Sequence, residues 1–301
     1  MENFTPQSLS TKNDASFIAF PGDSTQSSTT DQRMAYMQSL VIELSNPDLR
    51  ENALYVLSKS TKLFEGLGPL LWNTVGTIAV FLQEIISIYP TLSPPNLSPS
   101  QSTRVCHVLA LLQCVASHPD TRISFLNANM PLYLYPFLKT TSKLAHFEKL
   151  RVASLGVIGG SMKVNTKEAI GFYLSSEIIS LCLSNMQNGN ELTKIVATFI
   201  ILKIILDDDG LARVCATTEN FFGVCRVLNM MLEDLENPPS PRLLRLLISC
   251  YSRLSQNYRA RVALTTYLPN RLKDANLINF FRDDPKTMRL VLELHENVGV
   301  N

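Results

Sequence analysis

The sequence predicts an all-α fold of the armadillo type, a right-handed helical solenoid of about six repeats. Hydrophobic residues make up 46% of the 301-residue chain and glycine only 12 positions, and the apolar side chains recur at helical spacing rather than alternating as in strands. From residue 103 onward, an apolar helix, a polar break, a shorter helix and a third apolar helix recur about every 45 residues, within the armadillo and HEAT range. Such units cannot bury their apolar faces alone, so one continuous solenoid is favoured over two globular domains.

The chain is predicted to have three parts. Residues 1–30 are rich in Ser, Thr, Asn, Gln and Asp, a composition that predicts a disordered tail. Residues 31–292 form the predicted armadillo-repeat domain, and residues 293–301 form a predicted flexible C-terminus. The first helix of the domain is expected to end at Ser45-Asn46-Pro47, and a second to begin near Pro47.

The segment Leu70 to Tyr89 is predicted to form one long, unusually apolar helix. One apolar stripe consists of Ile78, Phe81, Ile85 and Ile88, and an adjoining stripe consists of Val75, Ala79, Leu82, Ile86 and Tyr89. Together they span about 180° of the helix, whereas about 100° suffices for a helix that rests on a single core. The helix is therefore expected to be covered from two sides.

The next segment predicts a complete armadillo unit. Four prolines between residues 90 and 99 indicate a stiff extended connector, after which Ser100 to Ser117 resumes a helix. A break at His118-Pro119-Asp120 and a turn at Asn127 to Met130 then separate two further helices. If Leu132, Ile179 and Val224 are equivalent positions, the repeat is about 45 residues long.

Composition and motifs argue against several classes of function. The formal net charge of +1 gives no overall attraction to polyanions. The six cysteines form no C-x-x-C pair and mostly lie in apolar helical runs, which predicts reduced, buried thiols of an intracellular protein. Residues 1–30 lack an apolar core of a signal peptide, and no stretch of about 18 uncharged apolar residues occurs, so neither secretion nor membrane spanning is expected.

Enzymatic chemistry finds little support, and neither metal nor cofactor is predicted. The four histidines have no metal-ligand spacing. The glycines at 156, 159 and 160 follow a helical pattern without a preceding strand, which favours close helix packing over a phosphate loop. Asp207-Asp208-Asp209-Gly210 lacks the alternating ligands of a calcium loop, so a helix end at Leu206 with capping carboxylates is favoured.

Several long strings carry a family resemblance: PDLRENALYVLSKST, LWNTVGTIAVFLQEIISIYP, RVCHVLALLQCVASHPDTR, LYLYPFLKT, FEKLRVASLGVIG and ELTKIVATFIILKIILDDDGL. They resemble the required-for-cell-differentiation (RCD-one) family, also known as the forty-kilodalton CCR-associated factor, over roughly Gln32 to Leu292. The resemblance implies an armadillo-repeat subunit of the CCR-NOT deadenylase complex, which shortens mRNA poly(A) tails. It implies binding surfaces rather than catalysis, and a cytoplasmic and nuclear location.

The resemblance also implies a docking helix for the scaffold subunit of the complex, at Leu71 to Tyr89. The positions that match the family's scaffold contacts are Asn73, Val75, Ala79 and Ile86. Three of them lie on the second apolar stripe. Packing of this stripe against a neighbouring repeat remains the alternative interpretation.

Two further surfaces follow from the resemblance, both with departures from the family. A groove for short helical peptides of regulatory proteins would use Lys149, Val152, Gly156 and Val196. Lys149 stands where the family usually has Tyr, which removes an aromatic anchor. The tryptophan pockets of the family match Thr218, Asn220 and Ala263, where Tyr, Arg and Ala are common. Strong tryptophan capture is therefore not expected, and the chain is interpreted as a diverged paralogue.

The C-terminal repeats are locally basic. Residues 205–239 hold seven acidic and two basic side chains, whereas residues 240–289 hold ten basic and three acidic ones. In the family a basic cleft can bind nucleic acid, and Arg245, Arg253 and Arg261 are the predicted contacts here; a solvated helix face is the alternative. A nucleic-acid-binding armadillo protein acting in transcription is thus the second functional hypothesis. The predicted partners are the scaffold subunit, regulatory peptides, single-stranded nucleic acid and a second copy of the chain.

Overall fold

Helices account for all the regular secondary structure in the part of the chain that the computed structural model describes, which is residues 26–299 except 62, 65, 165, 236–239 and 274–279. The helices are α1 (Gln26–Glu43), α2 (Arg50–Ser60), α3 (Leu67–Asn73), α4 (Thr77–Ser87), α5 (Pro99–Ser117), α6 (Pro119–Asn127), α7 (Tyr135–Leu138), α8 (Ala145–Ser161), α9 (Lys167–Leu174), α10 (Ile178–Asn188), α11 (Glu191–Leu206), α12 (Asp208–Val214), α13 (Thr218–Glu233), α14 (Pro241–Ser255), α15 (Tyr258–Tyr267), α16 (Asn270–Lys273) and α17 (Pro285–Val298). Short 3₁₀ turns occur at Tyr89–Thr91 and Met130–Leu134.

The helices stack in three layers. In the innermost layer α2, α5, α8, α11, α14 and α17 each pack against the next, and from α5 onward these helices start about 44 to 50 residues apart. A second layer runs through α7, α10 and α13, and a third through α3, α6, α9 and α12. One helix of each layer per repeat is the armadillo arrangement, which confirms the predicted fold class.

Caps and breaks place the helix ends as the sequence predicts. Ser98 and Gln101 form a reciprocal capping box at the start of α5, with Pro99 in the first helical position. The predicted break after Ser117 is confirmed, since α6 begins at Pro119. The turn before Met130 places Asn129 in the left-handed region, with φ 54°.

The Asp207-Asp208-Asp209-Gly210 segment is a helix junction. The Asp207 carboxylate accepts hydrogen bonds from the backbone N–H groups of Asp209, at 3.0 Å, and Gly210, at 3.3 Å, which confirms the capping prediction. A β-carbon at Gly210 would collide with the carbonyl oxygen of Ile204. Glycine therefore lets α12 fold back tightly against the end of α11.

The glycines of α8 also serve close packing, as predicted. A β-carbon at Gly160 would lie 2.6 Å from Ser117 Oγ on α5. At Gly159 it would lie 3.6 Å from the Phe199 ring on α11. The α8 backbone thus approaches the neighbouring helix on each side of it in the inner layer.

The prediction of one helix from Leu70 to Tyr89 is wrong. Two helices, α3 and α4, meet there at an angle of 89°. Gly76 lies between them with φ 87°, a left-handed conformation that a β-carbon disfavours, and Thr74 is extended. The helical spacing of the apolar residues continues across this turn, so the sequence pattern alone does not reveal that the helix is interrupted.

The outermost helices extend past the predicted domain boundaries at both ends. Helix α1 begins at Gln26, inside the predicted tail, whereas residues 1–25 lie outside the described part of the chain. At the other end α17 continues through the predicted flexible C-terminus to Val298, and it buries Leu294 and Val298. Gly299, with φ 69°, then ends the helix.

All six cysteines are free thiols, three of them buried and three half-buried. In the described residues no single helix is long and apolar enough to cross a membrane. Two pairs of helices would pass the same criterion together by length and composition alone, but each pair is bent by more than 40°.

Candidate docking surfaces

Helix α4, which lies in the segment predicted to dock the scaffold, buries one face and exposes the other. Thr77, Val80, Phe81, Glu84 and Ile85 face the interior. On the opposite face Ala79 is exposed and Ile86 is 43% exposed, and in the turn before the helix Val75 is 95% exposed.

The predicted scaffold contacts therefore lie on the surface. Asn73 is exposed with the other three, whereas Leu82 and Tyr89 of the same stripe are half-buried. The alternative interpretation was that this stripe packs against a neighbouring repeat. Val75, Ala79 and Ile86 do not pack in this way, because they are exposed. Scaffold binding at these positions remains a prediction.

A buried carboxylate holds α4 in place, and the sequence analysis overlooked it. Arg104 of α5 donates two hydrogen bonds to Glu84, from Nε at 2.7 Å and from Nη2 at 2.8 Å. Arg50 of α2 adds a third from Nη1 at 3.3 Å. Burial alone raises the pKa of Glu84, but the hydrogen bonds and charges of Arg104 and Arg50 outweigh it, so the pKa lies below its usual value. The available signal was a Glu at a core position between Phe81 and Ile85.

The predicted peptide-groove residues lie on two successive helices of the inner layer. Lys149 is exposed and Val152 and Gly156 are half-buried, all on one face of α8, while Val196 is buried on α11. Further along α11, the Lys203 ammonium lies 5.7 Å from the centre of the Phe199 ring. This cation–aromatic pair was not singled out from the sequence.

The residues of the degenerate tryptophan pocket belong to α13 and α15. Thr218 and Asn220 are exposed in the first turn of α13, and Ala263 is half-buried on α15. An edge-to-face pair, Phe222 with Tyr267, joins the two helices, with ring centres 5.2 Å apart. Both aromatic rings belong to this protein rather than to a bound partner, and the sequence analysis identified neither of them.

The three arginines predicted to bind nucleic acid form contacts within the solenoid. Arg245 pairs with Asp284 at 2.7 Å and donates to Thr287 at the start of α17. Arg253 donates to the carbonyl oxygen of Ile205, at 2.8 Å, and pairs with Asp208.

Arg261 donates to the carbonyl oxygen of Ser255, at 2.9 Å, at the end of α14. Each of the three therefore joins elements of the fold. Exposed basic side chains of the same repeats include Arg242, Arg259 and Arg289. Nucleic-acid binding stays a prediction, and these exposed groups are the better candidates for phosphate contacts.

Reactive groups are shielded. Burial raises the pKa of Cys106, Cys114 and Cys215 to about 11 and, together with the charge of Cys215, that of Cys225 to about 12. These thiols are therefore protonated at neutral pH and poor nucleophiles. Within the described residues, no group of three His, Cys, Asp or Glu side chains could hold a metal ion.

Comparison with known proteins assigns the family. The profile of the "Cell differentiation family, Rcd1-like" matches residues 40–298. The chain belongs to this family. The Rcd1-like region thus includes α17, in agreement with the burial of its last turns. The resemblance noted from the sequence strings is confirmed.

Two Rcd1-like relatives cover most of the chain. "Cell differentiation protein rcd1" of Schizosaccharomyces pombe is 48% identical over 265 residues, which is 88% of this chain and 94% of the relative. "Protein CAF40" of Saccharomyces cerevisiae is 45% identical over 255 residues, which is 84% of this chain and 68% of the relative.

Solved structures agree on the fold of this Rcd1-like chain. The designed armadillo repeat protein YIII(Dq)4CqI superposes with a TM-score of 0.60 at 13% identity and covers 87% of this chain. A second design, solved in complex with the peptide (KR)4, gives a TM-score of 0.58 at 14% identity. At such low identity these likenesses establish the armadillo fold and nothing about partners.

Proposed function

We propose that this protein is a non-catalytic adaptor subunit of the CCR-NOT mRNA deadenylation complex. In this role it docks on the scaffold subunit and recruits regulatory proteins in mRNA decay and translational repression, in the cytoplasm and nucleus. Family membership supports the assignment to this complex. The exposed apolar face of α4 is the observation that supports the docking role.

The α4 face has the properties of a partner site. Phe81 and Ile85 fill the core from the opposite side of the helix, so the fold does not need the exposed side chains. Burying a Val or Ile side chain contributes about 1.5 to 3 kcal/mol, and Val75 and Ile86 are available for this. Ala79 lies between them and is small enough to let a partner helix approach closely.

The regulatory peptides are proposed to bind across α8 and α11. Val152, Gly156 and the Phe199 ring present apolar surface there, with Lys149 exposed at the edge. The ammonium of Lys149 favours peptides that carry a carboxylate at the position where other family members present an aromatic ring. Recruitment by this chain is therefore expected to involve a different set of peptides.

The docking role is tested with Ile86→Asp in a pull-down and a calorimetric titration with the scaffold fragment. An unpaired carboxylate in an apolar interface is costly, so we expect at least a hundredfold loss of affinity. Circular dichroism should stay unchanged, because Ile86 is partly in solvent before docking. Ala79→Tyr should block binding separately, by steric overlap.

The matched control is Ser87→Asp, which places the same charge on the same helix about 100° around its axis. Binding should survive in this control. If Ile86→Asp bound normally, or if the wild-type chain failed to bind the scaffold, the docking role would be wrong. Unfolding of Ile86→Asp alone would show that the face belongs to the core.

A further inference from the structure

One face of α8 carries a row of accessible residues that begins with a charge and ends at a glycine. Lys149 is exposed, and Val152, Ala153 and Gly156 are half-buried. Residues three, four and seven positions apart share one face of a helix, so these four lie in a row. The seven positions from Lys149 to Gly156 span about 10.5 Å along the helix axis.

Gln113 of α5 adds a polar group at the glycine end of this row. A β-carbon at Gly156 would lie 3.4 Å from Gln113 Oε1, and one at Gly160 would lie 3.3 Å from Gln113 Cγ. The stem of the side chain therefore crosses Gly160, and its amide lies over Gly156. Among the described residues this amide has no hydrogen-bond partner, and the side chain is only half-buried. Its donor and acceptor atoms are thus available to a ligand.

The Lys149 ammonium lies toward the same neighbouring helix. Burial raises the pKa of Cys106 on α5 to about 11, and the Ser102 side chain and the charge of Lys149 oppose this rise. The ammonium is therefore close to α5, as is the Gln113 amide. It forms no ion pair with any residue that the structure describes.

The inner helices around this row contain few carboxylates. Helix α5 has none, α8 has Glu148 alone, and α11 has Glu191 alone, at its first residue. Glu148 is buried and pairs with Arg151 at 2.6 Å. Lys149 thus lies on a surface to which α5 and α8 contribute no unpaired carboxylate, and this charge favours an anionic ligand group.

The spacing and the charge together indicate the occupant. A peptide helix laid along α8 presents side chains at the same intervals of three, four and seven positions, which is how amphipathic helices bind in grooves. A single-stranded nucleic acid is a poorer match, because its affinity depends on several cations along the phosphate chain and this row offers one.

We propose that Lys149 and Gln113 are the two polar anchors of the peptide groove, and that they set the sequence of its ligand, an amphipathic helical peptide of a partner protein. The peptide has a carboxylate opposite Lys149 and an Asn or Gln seven positions away, opposite Gln113. Apolar side chains between them cover Val152 and Ala153. A carboxamide matches Gln113 because each amide can both donate and accept, whereas a carboxylate would leave the Gln113 oxygen unpaired. This inference deepens the peptide recruitment of the proposed function and rests on it.

The test is a selection of displayed helical peptides on the full chain, run in parallel on Lys149→Glu and Gln113→Leu. The wild type should enrich Asp or Glu at one position and Asn or Gln seven positions away. Lys149→Glu should enrich Lys or Arg at the first of these positions only, because the opposing charge is reversed. Gln113→Leu should enrich apolar residues at the second only. The best wild-type peptide should bind each variant about tenfold more weakly in calorimetry.

Lys167→Glu is the matched control, since it makes the same charge reversal on an exposed residue of α9, outside the inner layer. It should enrich the wild-type pattern. Circular dichroism should be the same for all three variants, because none of the replaced side chains is fully buried.

Peptide patterns that stay the same in Lys149→Glu and Gln113→Leu would overturn the inference, as would a library without binders or a groove that binds only oligonucleotides. Scaffold docking through α4 is measured separately, so each of these results leaves that part of the proposed function standing. Loss of scaffold binding by the wild-type chain would count against the proposed function and would not alter the peptide pattern.

Discussion

Glu84 is buried, yet it fixes the position of the helix that carries the exposed apolar face of α4. Its carboxylate connects α4 to Arg50 of α2 and Arg104 of α5, and the exposed face of α4 is oriented as a result. The sequence separates these partners by 34 and 20 residues. Ion pairs over such spacings leave no local pattern, which is why the sequence analysis did not find this one.

Replacing Glu84 with Gln should destabilise the protein by roughly 2 to 4 kcal/mol, because two arginines lose their carboxylate in a buried setting. Urea unfolding at neutral pH measures this cost. Glu51→Gln is the matched control: Glu51 also pairs with Arg104, but it is exposed, so the change should cost less than about 0.5 kcal/mol. Equal effects of the two variants would contradict the role given to Glu84.

The same carboxylate predicts a pH dependence. Its native pKa lies below the unfolded value, so its contribution to stability is complete above the unfolded pKa of about 4.3 and is lost as the pH falls through the native pKa. The wild type should therefore lose stability more steeply than Glu84→Gln below about pH 5. Parallel stability curves for the two proteins between pH 7 and pH 3 would rule this out.

At the scale of elements, helix existence was predictable and helix junctions were less so. The breaks at Pro119 and Asp207 carry capping chemistry that the sequence displays. The junction between α3 and α4 depends on a single left-handed glycine, Gly76, inside an apolar run whose period continues undisturbed. A glycine in a helical pattern is compatible with both outcomes, and packing against α1 and α5 decides between them.

The arginines of the last repeats make a prediction about the contact between α14 and α17. Arg245→Ala removes the pair with Asp284 and the hydrogen bond to Thr287, and it should cost roughly 1 to 2 kcal/mol. Hydrogen exchange should show faster opening of α17. Arg242→Ala, on the same helix but exposed, should change stability by less than about 0.5 kcal/mol. If both variants behaved alike, Arg245 would not tie the two helices together.

At the scale of the whole molecule, α17 is the last described helix of the inner layer and covers α14. Deleting residues 293–301 removes the buried side chains Leu294 and Val298 and should lower the thermal midpoint by several degrees, since terminal repeats shield the apolar end of a solenoid. Deleting Val300 and Asn301 alone keeps the helix and should leave the midpoint unchanged. A truly flexible terminus would give no loss in either case.

The sequence by itself determined the helical content, the repeat length and the family. These depend on local spacing of apolar residues and on long matching strings, both of which are readable along the chain. It also determined the capped junctions, where the capping residue lies within three positions of the groups that it caps. The correspondence proposed for Leu132, Ile179 and Val224 holds only in part: Ile179 and Val224 lie in α10 and α13 of the second layer, whereas Leu132 lies in the 3₁₀ turn before α7 and is exposed.

Only the tertiary structure decided which apolar side chains are core and which are surface. Phe81 and Ile86 have similar character and lie on the same helix, yet one is buried and the other exposed, because α5 covers only one side of α4. It likewise decided that Arg253 bonds to Ile205, 48 positions away. In a solenoid, the neighbouring repeat determines which side chains are buried and which charges are paired. The spacing of residues along the sequence does not indicate which side chains of that repeat lie opposite them.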